Sequence, residues 1–321
     1  VALTRQIAPG VTEIDTLLGG REWRTGGYLL AAPAPLLIET GSQSSVQVLL
    51  DALRSIGVGP DELAGVAVTH IHLDHAGGVG DVARAFPSAT VYVHEKGASH
   101  LADPARLVDS AARVYGNLLD SLYGRLAPTP AERLHVLADG EELRLGPGRV
   151  VTTVYSPGHA RHHLALHDSV SGILFAGDAV GVRLPDAGVL RPATPPPDFD
   201  LDQAIGSLHR FADRRPERIA LAHYGLLDDD PVEVLTEAEE VLQRWFSVAV
   251  RAWREGADIA SAFGQEFGSE LSGVDPEQHE KLEMLNGIHS NAAGFRRWLE
   301  KRPDSSGVGN RAGGSGEAEG K

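Results

Sequence analysis

Residues 69–75 read T-H-I-H-L-D-H and close the apolar run AGVAVT at 64–69. A short apolar run of this kind suits a buried strand. Three histidines and an aspartate are therefore delivered at the carboxyl end of a strand, where loops commonly carry function. Imidazole nitrogen and carboxylate oxygen are donors for a borderline metal such as zinc. In H-x-H, alternate side chains can reach one ion from an extended turn. Asp74 and His75 point elsewhere and can serve a second ion. Isolated helix-cap or surface histidines do not call for this density of donors.

Further donors stand near the ends of other apolar runs. Val150–Tyr155 leads into S-P-G-H and His159, Ile173–Ala176 leads into G-D and Asp178, and Ile219–Ala222 leads into His223. Taken alone, Asp178 reads as a turn residue and His223 as a surface histidine. Together they describe several strand ends supplying one edge of an α/β scaffold.

The rest of the chain fits such a scaffold. GGYLLAAPAPLLIE at 26–39 predicts two strands around an A-P-A-P turn. Residues 44–56 predict a helix packed by Val46, Leu49, Leu50 and Leu53. Gly77 and Gly78 lead into another helix, and Thr90–Val93 into a strand. Residues 97–130 predict one or two helices, with Pro104 near a start and Pro128 and Pro130 past the end. Strands are expected at about 134–137, 141–145, 149–155, 163–167, 172–177 and 218–222, with a helix at about 201–213. PATPPPD at 192–198 is a stiff connection. Beyond about 230 the pattern is helical. Val234, Ala238, Val241, Trp245 and Val248 define one packing face, and 276–302 reads as a further helical segment. The tail 304–321, rich in Gly, Ser and charge, is expected to be disordered.

The formal net charge of −15 argues against nucleic acid and anionic membrane surfaces as partners. No run of about 18 apolar residues suggests a membrane span. The chain opens without a charged-then-apolar leader, and cysteine is absent. The missing cysteines fit a reducing cytoplasm, where the protein is expected, and remove thiolate ligands from consideration. The expected partner is a small-molecule substrate, and a homodimer is one assembly compatible with the chain.

The set THIHLDH at 69–75, SPGH at 156–159, GD at 177–178 and His223 resembles the metallo-β-lactamase superfamily, as does the opening GGYLL…LLIETG. The likeness covers about residues 10–228. It departs at Glu39, where the family's Asp-Thr-Gly turn usually has Asp, a change expected to alter support around the site and not ligation. The resemblance implies an αββα four-layer sandwich at 1–228, with the helical insertion at about 97–130 and a helical C-terminal extension at 229–303 packed on it.

The resemblance also implies two divalent ions, zinc first, with iron or manganese as alternatives. His70, His72 and His159 would hold one ion, Asp74, His75 and His223 the other, and Asp178 would bridge them. A hydroxide shared by the ions would attack, with Asp74 orienting it or passing a proton to the leaving group. A bridging Asp resembles glyoxalase II-type thioesterases and acyl-homoserine-lactone lactonases, so the expected reaction is hydrolysis of a carboxylic ester, lactone or thioester. The alternative is a persulfide dioxygenase of the same fold, with one iron on His70, His159 and Asp178.

Candidate substrate contacts are Tyr115 and Tyr123 in the insertion, Tyr224 beside His223, and His163. Each has a plainer reading. The tyrosines can be buried apolar surface. His162 or His163 can support a ligand or lie in solvent at a strand entry. His94, His100 and His135 are expected in structural or surface roles.

Overall fold

Residues 3–185, 187–271 and 274–302 are described by the structure, a computed structural model. The first sheet takes its strands in chain order: β1 (Thr4–Ala8), β2 (Val11–Asp15), β3 (Gly26–Leu30), β4 (Leu36–Ile38), β5 (Gly65–Ala67), β6 (Thr90–His94) and β7 (Leu134–Leu137). Hairpin connections make β1 to β4 antiparallel, and helical crossovers make β4 to β7 parallel. The second sheet also runs in chain order, through β8 (Glu142–Gly146), β9 (Arg149–Tyr155), β10 (Leu164–Asp168), β11 (Ile173–Phe175), β12 (Arg218–Leu221) and β13 (Gly225–Leu226). Only β11 and β12 pair in parallel there.

The sheets face each other across a core that includes Tyr28, Leu30, Ile38, Leu143, Leu166 and Phe175. On the outer face of the first sheet lie α1 (Val46–Ser55), α2 (Val79–Ala85), α3 (Glu95–Ala102), α4 (Ala105–Tyr115) and α5 (Leu119–Leu122). Their Leu49, Leu53, Val82, Leu101 and Leu119 share a cluster with Leu37, Val66 and Val91. The outer face of the second sheet takes α6 (Leu201–Arg214) and the first half of α7 (Pro231–Glu255). The layers are therefore αββα, as the resemblance implies.

The helical C-terminal region continues with α8 (Ile259–Phe267), α9 (Pro276–Asn286) and α10 (Ile288–Glu300). Local sequence sets these ends. Asp230 caps α7 by accepting from Val232 N–H, and Pro231 occupies its first turn. Gly256 ends it in the left-handed conformation. Trp245, Phe263, Phe267, Phe295 and Trp298 then pack together. Of the packing face expected on α7, Val234, Ala238, Trp245 and Val248 are buried, whereas Val241 is half-buried and Leu242 takes its place inside.

The helical segment expected at 276–302 consists of two helices, because Gly287 leaves the helical conformation and caps α10 in an extended one. The hairpin β1–β2 was not expected from the pattern, since the first three residues of β1 are exposed and carry little apolar signal. The tail 304–321 lies outside the described residues. Among the described residues, no helix is long and apolar enough to cross a membrane.

Candidate metal centre

Strand ends from both sheets open on one edge of the sandwich. β5 runs through Val68 and Thr69 into His70. Thr69 is held from both sides, its N–H donating to Glu39 Oε1 at 3.1 Å and its carbonyl accepting from Leu164 N–H at 2.7 Å. The N–H groups of His75 and Ala76 both donate to the His72 carbonyl, at 3.1 and 2.9 Å. That tight turn brings the His75 ring to 4.0 Å from the His70 ring.

β9 delivers His159 through Gly158, whose φ is +134° and where a Cβ would lie 2.4 Å from the Ala204 backbone. Only glycine lets α6 come this close. β11 delivers Asp178 through Gly177, at φ +52°, where a Cβ would meet His163 Nε2 at 2.6 Å. β12 leads directly to His223.

The seven side chains singled out as ligands come together. His72 Nδ1 lies 3.0 Å from both His70 Nε2 and His159 Nε2. His223 Nε2 lies 3.1 Å from His75 Nε2 and 3.6 Å from Asp74 Oδ2. Asp178 stands between the two sets. Its Oδ2 is 3.5 Å from His159 Nε2, and its Oδ1 is 3.4 Å from His75 Nε2 and 3.6 Å from His223 Nε2. Donor atoms of His70, His72 and His159, of His70, His75 and Asp178, and of Asp74, His75 and His223 each fall within 4.8 Å of one another.

Outer contacts orient these rings. A backbone carbonyl accepts and cannot donate, so it fixes a tautomer. His159 Nδ1–H donates to the Ala193 carbonyl at 2.9 Å, and His223 Nδ1–H donates to the Arg24 carbonyl at 2.6 Å. In its neutral form each ring therefore presents an Nε2 lone pair to the centre. His70 Nδ1 pairs with the Thr69 hydroxyl at 2.9 Å. Glu39 Oε2 faces His75 Nδ1 at 3.6 Å, as charge support without a hydrogen bond. The glutamate thus serves the support role expected of it.

Ala193 is itself clamped from the C-terminal helices. Asn286 on α9 donates to the Pro192 carbonyl at 3.1 Å. Asn291 on α10 accepts from Thr194 N–H at 2.9 Å and from its hydroxyl at 2.8 Å. The two asparagine side chains also bond each other.

The electrostatics suit cation binding. Burial, then neighbouring histidines, push His70 well below the ordinary histidine range, and burial with His159 brings His72 down to about 4. Burial also lowers His159. Burial opposes charge on Asp178, yet His75, His223 and His159 hold its carboxyl well below the usual range. His70, His72 and His159 are thus biased toward neutral imidazole, whereas at His75 burial is outweighed by Asp178, Asp74 and Glu39, which raise it well above the ordinary histidine range. The donor set itself tests the fit of a metal. A proton on His72 Nδ1 can serve only one of its two nitrogen neighbours at a time, so lone pairs face each other there. Asp178 Oδ1 is buried with no hydrogen-bond donor. Such groups are costly unless a cation meets them, and nitrogen and oxygen donors of this kind fit divalent zinc, iron or manganese.

The four candidate substrate contacts divide. Tyr123 is buried and Tyr115 is 40% exposed, with ring centroids 4.6 Å apart. Burial, then the charge of Asp74, raises both hydroxyls above the ordinary phenol range. They stay protonated beside the centre. His163 is fully buried, paired with the Ser156 hydroxyl at 2.8 Å and accepting from Asp178 N–H at 3.2 Å. It supports the Asp178 turn. Tyr224 is likewise inside. It packs edge-on against Trp23 and clusters with Val182 and Leu282, and burial, then the charges of Glu13 and Asp15, raises its hydroxyl above the ordinary phenol range. His162 is also buried, and its Nδ1 accepts from Ile71 N–H at 3.4 Å. The carbonyls of Arg24 and Ala193 had no sequence signal, because any residue supplies a carbonyl.

His94 caps α3 and stacks on Tyr155, and His135 pairs with Glu141, both structural roles as expected.

Comparison with known proteins agrees with this geometry. A metallo-β-lactamase fold-containing protein of Sulfurisphaera tokodaii is 29% identical over 215 residues, covering 61% of this chain and 80% of that protein. A hydroxyacylglutathione hydrolase of Synechococcus sp. is 26% identical over 243 residues, covering 74% of this chain and 80% of the relative. The crystal structure of an archaeal metallo-β-lactamase superfamily protein from Sulfolobus tokodaii superposes with a TM-score of 0.63 at 25% identity, covering 85% of this chain and 92% of that one. The family model described as the metallo-β-lactamase superfamily matches residues 34–223, a span that contains all seven clustered side chains. The chain belongs to the metallo-β-lactamase superfamily.

Proposed function

We propose that this protein is a metal-dependent hydrolase that cleaves a carboxylic ester, lactone or thioester. The carrying observation is Asp178, whose two oxygens face one histidine set each. His70, His72 and His159 would hold one divalent cation, Asp74, His75 and His223 the other, with Asp178 shared. Cations there would lower the pKa of a water and polarise a substrate carbonyl.

The chain's own residues supply the rest. Asp74 is the more exposed of the two clustered carboxylates, with 17% of its side chain accessible against 7% for Asp178. That accessibility supports a role for Asp74 in orienting an attacking water and passing its proton to the leaving group. The protonated hydroxyls of Tyr115 and Tyr123 can donate to a substrate carbonyl. The Synechococcus relative is named for an acyl-glutathione, which is a thioester, and this supports the thioester as first choice.

The persulfide dioxygenase reading needs only His70, His159 and Asp178. Against it stands the second set, complete and separately supported by Glu39 at His75 and the Arg24 carbonyl at His223. His223→Ala decides between them. The hydrolase reading expects loss of the second metal and a fall in ester or thioester hydrolysis by orders of magnitude. Full hydrolysis with two ions still bound would overturn the assignment of His223. One retained iron with undiminished oxygen uptake would support the dioxygenase.

A further inference from the structure

Arg24 is almost entirely buried, at 2% exposure, yet no carboxylate among the described residues lies within salt-bridge distance of its guanidinium. Its Nε has no hydrogen-bond partner, and its one side-chain hydrogen bond is a long contact from Nη2 to Met284 Sδ at 3.9 Å. Arg21 is only part-buried, with 37% of its side chain accessible, but its Nη1 is buried without a partner, and among the described residues its one ion pair is a 3.7 Å contact with the largely exposed Glu280. The two cations also repel each other, since burial and then Arg21 lower the Arg24 pKa. A chain with net charge −15 has acids to spare, and the nearby buried carboxylate of Asp15 is engaged elsewhere. It accepts from Leu17 N–H at 2.9 Å and Trp23 N–H at 2.8 Å, fixing the loop that carries both arginines. Leaving a buried cation without a counter-ion is costly.

The position of this guanidinium is as telling as its lack of partner. The Arg24 carbonyl holds His223, so its side chain starts at the metal centre. It runs beside Gly19, where a Cβ would meet Arg24 Nη1 at 3.8 Å and Leu122 of α5 at 3.0 Å. Tyr123 follows Leu122 in sequence, and its hydroxyl feels both Asp74 and Arg24. Arg24 thus leads away from its own carbonyl at His223 toward the place where Leu122 of the insertion and Met284 of α9 come together.

We propose that Arg24, assisted by Arg21, binds a carboxylate of the substrate remote from the bond that is cleaved. A guanidinium edge matches a carboxylate in a two-point, charge-assisted contact, and such a group supplies the missing counter-charge. The substrate class is then an acid-bearing ester or thioester. The identity of the occupant as a substrate rests on the hydrolase reading; the anion site itself does not.

Equilibrium titration of the metal-loaded protein with acetate and with dicarboxylates from succinate to adipate tests this. At least one dicarboxylate should bind about tenfold or more tightly than acetate. Arg24→Met should abolish that preference without lowering the melting temperature, because a buried unpaired charge is replaced by apolar surface. Loss of stability with the preference intact would mark Arg24 as merely structural and overturn the proposal. So would a wild type that binds every dicarboxylate no better than acetate. Should Arg24→Met not fold, Arg21→Gln at the more exposed position decides: a reduced preference supports the site, and an unchanged one overturns it. Arginine-dependent dicarboxylate binding in a protein that hydrolyses nothing would defeat the hydrolase reading alone. Hydrolysis of neutral esters with no dicarboxylate preference would defeat the anion site alone.

Discussion

At the scale of single residues, Asp178 carries the most. Removing it leaves two histidine sets facing each other without the shared negative charge. Asp178→Ala should lose metal and activity together, read by metal analysis and turnover on the purified variant; full metal content with wild-type turnover would contradict its bridging role. The buried histidines also make a pH prediction for the metal-free protein. His72 is depressed to about 4 in the fold from an unfolded value near 6.5. The unfolded chain therefore binds more protons between those values, so this contribution to stability is present above pH 6.5 and lost as pH falls toward 4. The melting temperature of metal-free protein should drop over that window, and substitution of His72 by Gln should flatten the drop. The ligand histidines were legible because their density at strand ends has no other economical reading. Their supports were partly so: Glu39 stands out as a departure from a motif, whereas the carbonyls of Arg24 and Ala193 have no side-chain signature. Tyr224 and His163 lie close to ligands along the chain, but closeness in sequence does not fix direction, and both side chains turn into the scaffold.

At the scale of elements, the C-terminal helices reach the centre through a short relay. Asn286 and Asn291 fix residues 192–194, and the Ala193 carbonyl fixes His159. The fit is close at Gly294 on α10, where a Cβ would overlap the Thr194 carbonyl oxygen at 1.6 Å. Asn291→Ala should leave buried Thr194 donors unpaired, costing roughly 1–3 kcal/mol of stability. It should also weaken metal binding at the set containing His159 more than at the other set, measured by competitive chelation. Equal affinity at both sets would confine Asn291 to a structural role. None of this was readable from sequence, because the helical pattern after 230 shows which face is apolar and not what the polar side chains meet. The insertion was readable as helical. Its Leu101, Val108 and Leu119 join the core cluster outside the first sheet, so deletion would open that core. Tyr115→Phe is the cleaner probe of the insertion as pocket wall, with a raised KM and unchanged metal content expected.

At the scale of the whole molecule, the two sheets are joined by one buried guanidinium, held by an ion pair within the second sheet, as well as by apolar packing. Arg149 donates twice to Asp168, at 2.9 and 2.8 Å, and its Nη1 reaches the Gly10 and Ala31 carbonyls of the first sheet, each at 3.0 Å. Asp168→Ala should destabilise the fold by about 3–5 kcal/mol, since it strands a buried guanidinium. Thermal melting checks this, and a change below about 1 kcal/mol would contradict it. The layered architecture was legible because apolar runs, turn residues and helical periodicity agreed along most of the chain. The β1–β2 hairpin and the break at Gly287 escaped notice for local reasons: an exposed edge strand has little pattern, and one glycine inside a helical stretch is ordinarily tolerated.

The central claim is a two-cation hydrolytic centre. Protein purified without added metal, analysed for metal content and assayed in parallel for thioester, ester and lactone hydrolysis and for oxygen uptake with a persulfide, tests it most directly. The account predicts two divalent ions per chain, hydrolysis of at least one of these bond types, and no oxygen uptake. One iron per chain with persulfide-dependent oxygen consumption would contradict it.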